Sequence, residues 1–180
     1  MSGLAEPAAG LAVLLSLALF GARRAGTVTI LCALQALLAS AALAACLPLA
    51  LAILLFNGIA LPIAVRHVVG RRPPAWRGDR RRVGISAWLA ASALLVVAIA
   101  AAHRMQDGVV PALGLAIAWL GLLFVGSGPR GASRALGLLS SQNGIALVAG
   151  SLPGTPVPTL VAVSLPFVPA LILAETWLRR

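Results

Sequence analysis

The sequence predicts an all-α fold, a polytopic transmembrane helical bundle of about seven spans. Of the 180 residues, 61% are hydrophobic and 10% are charged, whereas soluble domains have about 45–50% and about 25%. The mean hydropathy is +1.02. Because a helix needs roughly 20 residues to cross a bilayer, such spans nearly fill the chain. We therefore expect one transmembrane domain, residues 1–180, with no room for a soluble catalytic domain.

The first span is predicted at residues 1–20. The basic pair Arg23 and Arg24 follows this apolar stretch, whereas a secretory signal has its basic residues first. We therefore interpret the stretch as a membrane span with the N-terminus outside. Residues 1–69 are expected to contain the first three spans.

The second and third spans lie in one uncharged run, residues 27–65. This run is about twice as long as one crossing. Pro48 lies near its middle, where a proline favours a tight turn over a continuous helix. The run is therefore predicted to divide into spans 27–46 and 49–65.

Residues 70–82 are predicted to form a cytoplasmic loop. The stretch RHVVGRRPPAWRGDRRR contains seven arginines between Arg66 and Arg82. Basic residues beside spans mark the cytoplasmic side of a membrane protein and anchor it there. They can also bind acidic lipid or a partner subunit. The arginines for which we expect contact with anionic lipid are Arg71, Arg72, Arg80, Arg81 and Arg82.

Residues 83–180 are predicted to form four more spans. The polar stretches HRMQDG and GSGPRGASR separate the first three of them. SLPGTPVP, whose prolines and glycine disfavour a helix, separates the last two, which therefore form a helical hairpin. The four predicted spans are 83–102, 109–126, 134–150 and 159–180.

The distribution of arginine tests this topology. With the N-terminus outside, thirteen of the fourteen arginines lie at the inner ends of spans. The exception is Arg104, which has Asp107 close by as a possible partner. A model with six or eight spans would scatter the arginines over both faces, against the positive-inside rule. The distribution therefore favours seven spans with the C-terminus inside.

Ionisable groups suited to catalysis are scarce in this sequence. The net charge of +10 comes from arginines at span ends, which form no basic stripe along a helix, so we expect no nucleic-acid binding. Glu175 and Arg179 have the i, i+4 spacing of a helix ion pair, and a proton-relay role is the alternative for Glu175. His67 and His103 lie at span ends on opposite predicted faces. We predict no catalytic residue, no cofactor and no metal, haem or iron–sulfur site.

Polar residues inside apolar spans are the remaining candidates for function. An unpaired amide is costly in lipid, so each is expected to face protein or enclosed water. Such residues more often join helices by hydrogen bonds than form functional sites. The candidate positions are Gln35, Asn57, Gln142 and Asn143.

The stretch GLLSSQNGIAL, which begins at Gly137, resembles a signature of the hydrogenase-4 component E family. These are membrane subunits of group 4 nickel–iron hydrogenases and formate hydrogenlyases. The family pattern is Gly, four mostly apolar residues and then Glu-Asn-Gly. Gly137, Asn143 and Gly144 match it, and Gln142 stands at the position of the acid.

The resemblance extends over roughly residues 35–180. Gln35 is similar to a glutamine in the second span of the family, and Pro158 fits a proline that follows its hairpin turn. Pro62 lies five residues after the position of a lysine in the family. Neutral residues replace charged ones at four positions, Asn57, Gln142, Ala162 and Val168.

The last three predicted spans also look like the K subunit of complex I, a three-helix subunit whose buried carboxylates belong to the proton path. The resemblance implies a non-catalytic subunit of a complex I-related, hydrogenase-like complex in the prokaryotic inner membrane. Its expected neighbours are an antiporter-like subunit, a quinone-site-type membrane subunit and a peripheral hydrogenase-like module. Because neutral amides do not exchange protons at physiological pH, we expect a structural role. The alternatives are a stand-alone small membrane transporter and an unrelated membrane scaffold protein.

Overall fold

The computed structural model describes residues 4–22, 25–70, 84–102, 109–127 and 132–151, and the described part is helical apart from short turns, with no strand. The all-α prediction is confirmed. One of the helical segments contains a π-helical turn between two α-helices. The elements are α1 (Ala5–Gly21), α2 (Ala25–Ala42), α3 (Leu47–Ile53), the π-turn (Leu54–Ala60), α4 (Leu61–Gly70), α5 (Ile85–Ala102), α6 (Val109–Ser127) and α7 (Ala132–Ser151).

The described helices lie where spans are predicted, with two clear differences in their boundaries. Helix α4 continues to Gly70, five residues beyond the predicted end of the span 49–65, so the first residue of the predicted loop 70–82 is helical. Helix α2 ends at Ala42, four residues before the predicted end, because residues 43–46 form a turn. Pro48 lies in the first turn of α3, where its missing N–H removes no helical hydrogen bond. The predicted span 159–180 and the loop residues 71–82 lie outside the described residues.

Two helical segments within the described residues are long and apolar enough to cross a membrane. These segments are Leu47–Val65 and Val109–Gly126. Three further apolar helices are shorter, namely Ala5–Gly21, Gly26–Ala42 and Ile85–Val97. By length and composition, these two segments are candidates for membrane spans.

Four helices form a closed ring in which α1 contacts α2, α2 contacts α7, α7 contacts α6 and α6 contacts α1. Helix α5 packs on α6, while α3, the π-turn and α4 pack against α2. The apolar core is built mostly from the ring helices. Its members include Val13, Leu19, Cys32, Ile117, Leu120, Leu136, Leu139 and Leu147.

Aromatic contacts fix the directions of α1, α5 and α6. Phe20, near the end of α1, packs edge-to-face on Phe124 near the end of α6, with ring centroids 5.6 Å apart. Its ring centroid also lies 6.0 Å from that of Trp88, near the start of α5. Helices α1 and α6 therefore run in the same direction, and α5 runs in the opposite one.

Contacts of α7 fix the other directions. Cys32, in the middle of α2, and Leu136, near the start of α7, are joined by a hydrogen bond from Sγ to the main-chain oxygen, 3.5 Å long. At the other end, a Cβ on Gly150 would meet the side chains of Leu43 and Leu49. Helices α2 and α7 are therefore parallel, and the segment that begins with α3 is antiparallel to both.

The π-turn has its cause in Pro62. In a regular α-helix the ring of this proline would conflict with the carbonyl group of Gly58, and its missing N–H would leave that carbonyl without a donor. Instead the Leu61 N–H donates to the Phe56 oxygen, five residues back. The wider turn relieves the conflict before the chain reaches the proline.

Helices α6 and α7 are antiparallel and approach each other very closely. A Cβ on Gly121 would lie 2.7 Å from the Gly137 oxygen, and one on Gly114 would lie 2.8 Å from the Gly144 oxygen. Both helices carry small residues at spacings of four and then three, which suit a left-handed pair. These residues are Gly114, Ala118 and Gly121 in α6, and Gly137, Ser141 and Gly144 in α7.

Gly121→Ala should separate α6 from α7 and lower the free energy of unfolding by about 1–3 kcal/mol through overpacking. Gly126→Ala is the matched control in the same helix, because a Cβ there would meet nothing within 4 Å. It should leave stability unchanged or raise it by up to about 1 kcal/mol. SDS-induced unfolding of the purified protein measures both. Equal effects of the two substitutions would contradict this account of the helix pair.

Candidate functional site: a buried amide chain

The four amide side chains predicted as candidates are all buried. Gln35 and Asn143 are 0% exposed, Gln142 is 4% exposed and Asn57 is 6% exposed. They come from α2, the π-turn and α7, three segments far apart in sequence. A buried amide needs hydrogen-bond partners to offset the loss of water, so their contacts decide what they do.

Three of the amides and one hydroxyl form a continuous chain of hydrogen bonds. Asn57 Nδ2 donates to Asn143 Oδ1 at 2.9 Å, and Asn143 Nδ2 donates to Gln35 Oε1 at 3.3 Å. Gln35 Nε2 donates to Ser16 Oγ at 2.5 Å, and Ser16 Oγ donates to the Ala12 oxygen at 3.0 Å. We call Asn57, Asn143, Gln35 and Ser16 the amide chain.

Every donor in the amide chain points the same way, from the π-turn through α7 and α2 to α1. Hydrogen bonds aligned in this manner polarise one another and strengthen the series. The last acceptor is a main-chain carbonyl, which closes the chain without an ionised group. Since neutral amides neither take up nor release protons near neutral pH, the arrangement joins four helical segments but offers no acid or base.

Small residues beside the amides allow the helices to approach. Ala36 and Ala39, on the buried face of α2 next to Gln35, are fully buried. A Cβ on Gly58 would lie 3.7 Å from the Ala36 Cβ, so α2 and the π-turn are in close contact there. This approach brings Asn57 to the height of Asn143. The geometry of the amide chain therefore depends on both the small residues and the π-turn.

Gln142 faces a different side of α7 from Asn143. Adjacent helical residues point about 100° apart, so the two neighbouring amides face different parts of the bundle. Ser140, one turn before Asn143 on α7, is also fully buried. Its hydroxyl has no hydrogen-bond partner within the described part of the chain.

The described residues contain no group of three or more His, Cys, Asp or Glu side chains that could hold a metal ion. His67 is exposed on α4, and Cys32 and Cys46 are free cysteines. Pro158, which fits the predicted family pattern, and Ala162 and Val168, which depart from it, lie outside the described residues, as does Glu175.

Ser16 belongs to the amide chain but was not among the predicted candidates. In the sequence it is one of several serines within apolar stretches, and no local pattern separates it from Ser40. The Ser40 hydroxyl donates to the Leu37 oxygen of its own helix. Only the packing of α1 on α2 distinguishes the two roles.

Comparison with known proteins finds no relative: no family model matches the chain, and neither a curated protein nor a solved structure matches it. The role of the amide chain must therefore be inferred from its own residues. Their burial, hydrogen bonds and lack of charge are the relevant properties.

Asn143→Ala should lower the free energy of unfolding by about 1–3 kcal/mol, because it removes two hydrogen bonds and leaves Gln35 Oε1 and Asn57 Nδ2 without these partners. Ser40→Ala, which removes a hydrogen bond within one helix, should cost less than about 0.5 kcal/mol. A double-mutant cycle with Asn57→Ala should show coupling between positions 57 and 143. Additive effects of these two substitutions would show that the bond contributes nothing.

Proposed function

We propose that the chain is a multi-pass integral membrane protein, and that it acts as a non-catalytic subunit of a complex I-related, hydrogenase-like complex. The observation that carries the membrane part is the distribution of polarity. Amides lie in the interior, whereas many large apolar side chains are exposed on the surface. Contact between such a surface and water is unfavourable, so lipid or an apolar surface of a partner would cover it. Examples are Leu4, Ile63, Ile85, Leu89, Val96 and Val97.

The directions of the described helices support the proposed topology. Helices α1, α4 and α6 end, and α2, α5 and α7 begin, on one side of the bundle. The sequence next to these ends contains most of the arginines, which favours a cytoplasmic location for this side. The predicted span 159–180 would then bring the C-terminus to the same side. The arginines of loop 71–82 would meet the acidic lipid of the inner leaflet.

The amide chain supports a structural role within a larger complex. Gln35, Asn57 and Asn143, on which part of the family resemblance depends, belong to one hydrogen-bonded unit. Bonds of this kind fix the relative positions of membrane helices. The described interior offers no carboxylate that could continue a proton path. We therefore propose that the chain packs beside an antiporter-like subunit and a quinone-site-type subunit without transferring protons itself.

One observation favours the second candidate, a stand-alone transporter. Transporters often bind their substrate where a membrane helix is interrupted near its middle. The π-turn interrupts the apolar segment Leu47–Val65, and buried Asn57 lies in it. A purified monomer that moves a solute in liposomes would favour this candidate over the subunit.

The topology predicts which introduced cysteines are accessible in intact cells. In a Cys46→Ser background, Ala75→Cys in the loop 71–82 should react with a membrane-impermeant maleimide only after the cells are permeabilised. Ala44→Cys, in the exposed turn after α2, should react without permeabilisation. The reverse pattern would overturn the proposed orientation.

Gln142→Leu tests the structural role in the assembled complex. The substitution removes a buried amide and should weaken the association of the subunit with the complex by roughly 0.6–2 kcal/mol. Retention of the subunit after detergent extraction measures this change. Ser40→Ala is the control and should leave retention unchanged. The second measurement is proton translocation by the reconstituted complex. Loss of translocation with assembly and electron transfer intact would contradict the structural role and indicate that Gln142 organises a water chain.

A further inference from the structure

Helix α7 packs against the other described helices on about half of its circumference. Gly144 lies against the backbone of α6, as does Ser141 one turn before it. Asn143 points to α2 and the π-turn, and Gly150 lies against Leu49 of α3. Since successive residues on a helix are turned by about 100°, these contacts extend over roughly 180° of α7.

The other side of α7 carries a row of residues with spacings of three and four. This is the spacing with which one helix packs along another. Most of the row is covered, since Gln142 is 4% exposed and Ala149 is 8% exposed, whereas Ile145 is exposed at one edge. We call this row the Gln142 face, and it consists of Ala135, Leu138, Gln142, Ile145 and Ala149.

The connection that follows α7 indicates what lies next to the Gln142 face. Helix α7 ends at Ser151, and the predicted span 159–180, which lies outside the described residues, follows after the short stretch 152–158. Helices joined by such a short connection pack as antiparallel neighbours. Because α6, α2 and α3 occupy the other sides of α7, the Gln142 face is the side that remains for this span.

The span 159–180 has a polar requirement of its own, because Pro166 and Pro169 lie within it. A proline inside a helix removes the N–H that would bind the carbonyl group four residues earlier. Pro169 therefore leaves the Leu165 oxygen without its helical donor. In a membrane, a group on a neighbouring helix supplies a hydrogen bond of this kind.

Gln142 and Leu165 lie at similar depths in such a hairpin. At about 1.5 Å per residue, Gln142 is about 14 Å from the end of α7 at Ser151. Leu165 and Pro169 are about 9 Å and about 15 Å from the start of the span. The Gln142 side chain, which carries an N–H₂ donor group, is therefore near the stretch that Pro169 opens.

We propose that residues 159–180 of the same chain pack along the Gln142 face, and that Gln142 Nε2 donates a hydrogen bond to the Leu165 main-chain oxygen. The inference rests on the proposed function, because it requires residues 159–180 to span the membrane. It gives Gln142 a role within the chain. Gln142 fixes the last span on α7, as Asn143 fixes α2 and the π-turn.

Disulfide crosslinking in native membranes tests the packing. In a background with Cys32→Ala and Cys46→Ala, Ile145→Cys is combined in turn with a cysteine at each non-proline position from 161 to 168, and the membranes are oxidised. The product should keep the mass of one chain. We expect products at positions three or four residues apart, as one face of a helix requires. Leu89→Cys on α5, which packs on α6, is the control and should give none.

Two results of this experiment would overturn the packing. Products with the mass of two chains would place a second copy on the Gln142 face. No product from Ile145→Cys at any of the tested positions would show that the span packs elsewhere.

A double-mutant cycle tests the hydrogen bond. Gln142→Leu should raise the equilibrium constant for SDS-induced unfolding about three- to tenfold, because the Leu165 oxygen loses its donor. Pro169→Ala gives this oxygen a helical donor, so in that background the effect of Gln142→Leu should be less than about twofold. Ser40→Ala is the control and should act equally in both backgrounds. If Gln142→Leu also acts equally in both, the two groups are not bonded.

Extraction of the membranes with alkaline carbonate and native purification separate the possible failures. Release of the chain by carbonate would reject the proposed membrane function and this inference with it. Retention of the chain without an intrachain crosslink from position 145 would reject the inference alone. An intrachain crosslink in a chain that purifies without partner subunits would support the inference and reject the proposed role as a subunit.

Discussion

The double hydrogen bond of Asn143 is the interaction on which the arrangement of the helices most depends. This side chain accepts from Asn57 and donates to Gln35, so it connects the π-turn and α2 to α7. A residue able only to donate or only to accept would end the series at this point. Because Gln35 continues to Ser16, the position of α1 also depends on it. Apolar packing alone tolerates shifts between helices, whereas directional bonds select one register.

Helix α7 owes its central place to three consecutive residues with different roles. Asn143 points to α2 and the π-turn, Gly144 lies against the backbone of α6, and Gln142 faces a third side. Successive residues on a helix are turned by about 100°, so the three point in different directions that together span about 200° of the circumference. The glycine permits close approach and the asparagine fixes the register. Shape and polarity are thus specified within a single turn.

The positions of the described helices follow from hydropathy, because each apolar run must be long enough for a helix and is bounded by polar or turn-forming residues. Pro48 correctly indicated a break, although the turn occupies residues 43–46 and α2 therefore ends early. The burial of amides also follows from their apolar surroundings. The sequence does not show which amides contact one another, because contact between Gln35, Asn57 and Asn143 depends on tertiary packing. For the same reason, the sequence predicts neither the contribution of Ser16 nor the π-turn at Asn57.

The neutral residues of the amide chain have a consistent physical explanation. Under the proposed family resemblance, a lysine would stand at the position of Asn57. A lysine there could donate to Asn143 Oδ1, but its charge would need a buried partner, and the described interior contains no carboxylate to supply one. Asparagine keeps the donor and removes the charge. Asn57 thus joins the π-turn to α7 through a hydrogen bond without adding a group that titrates.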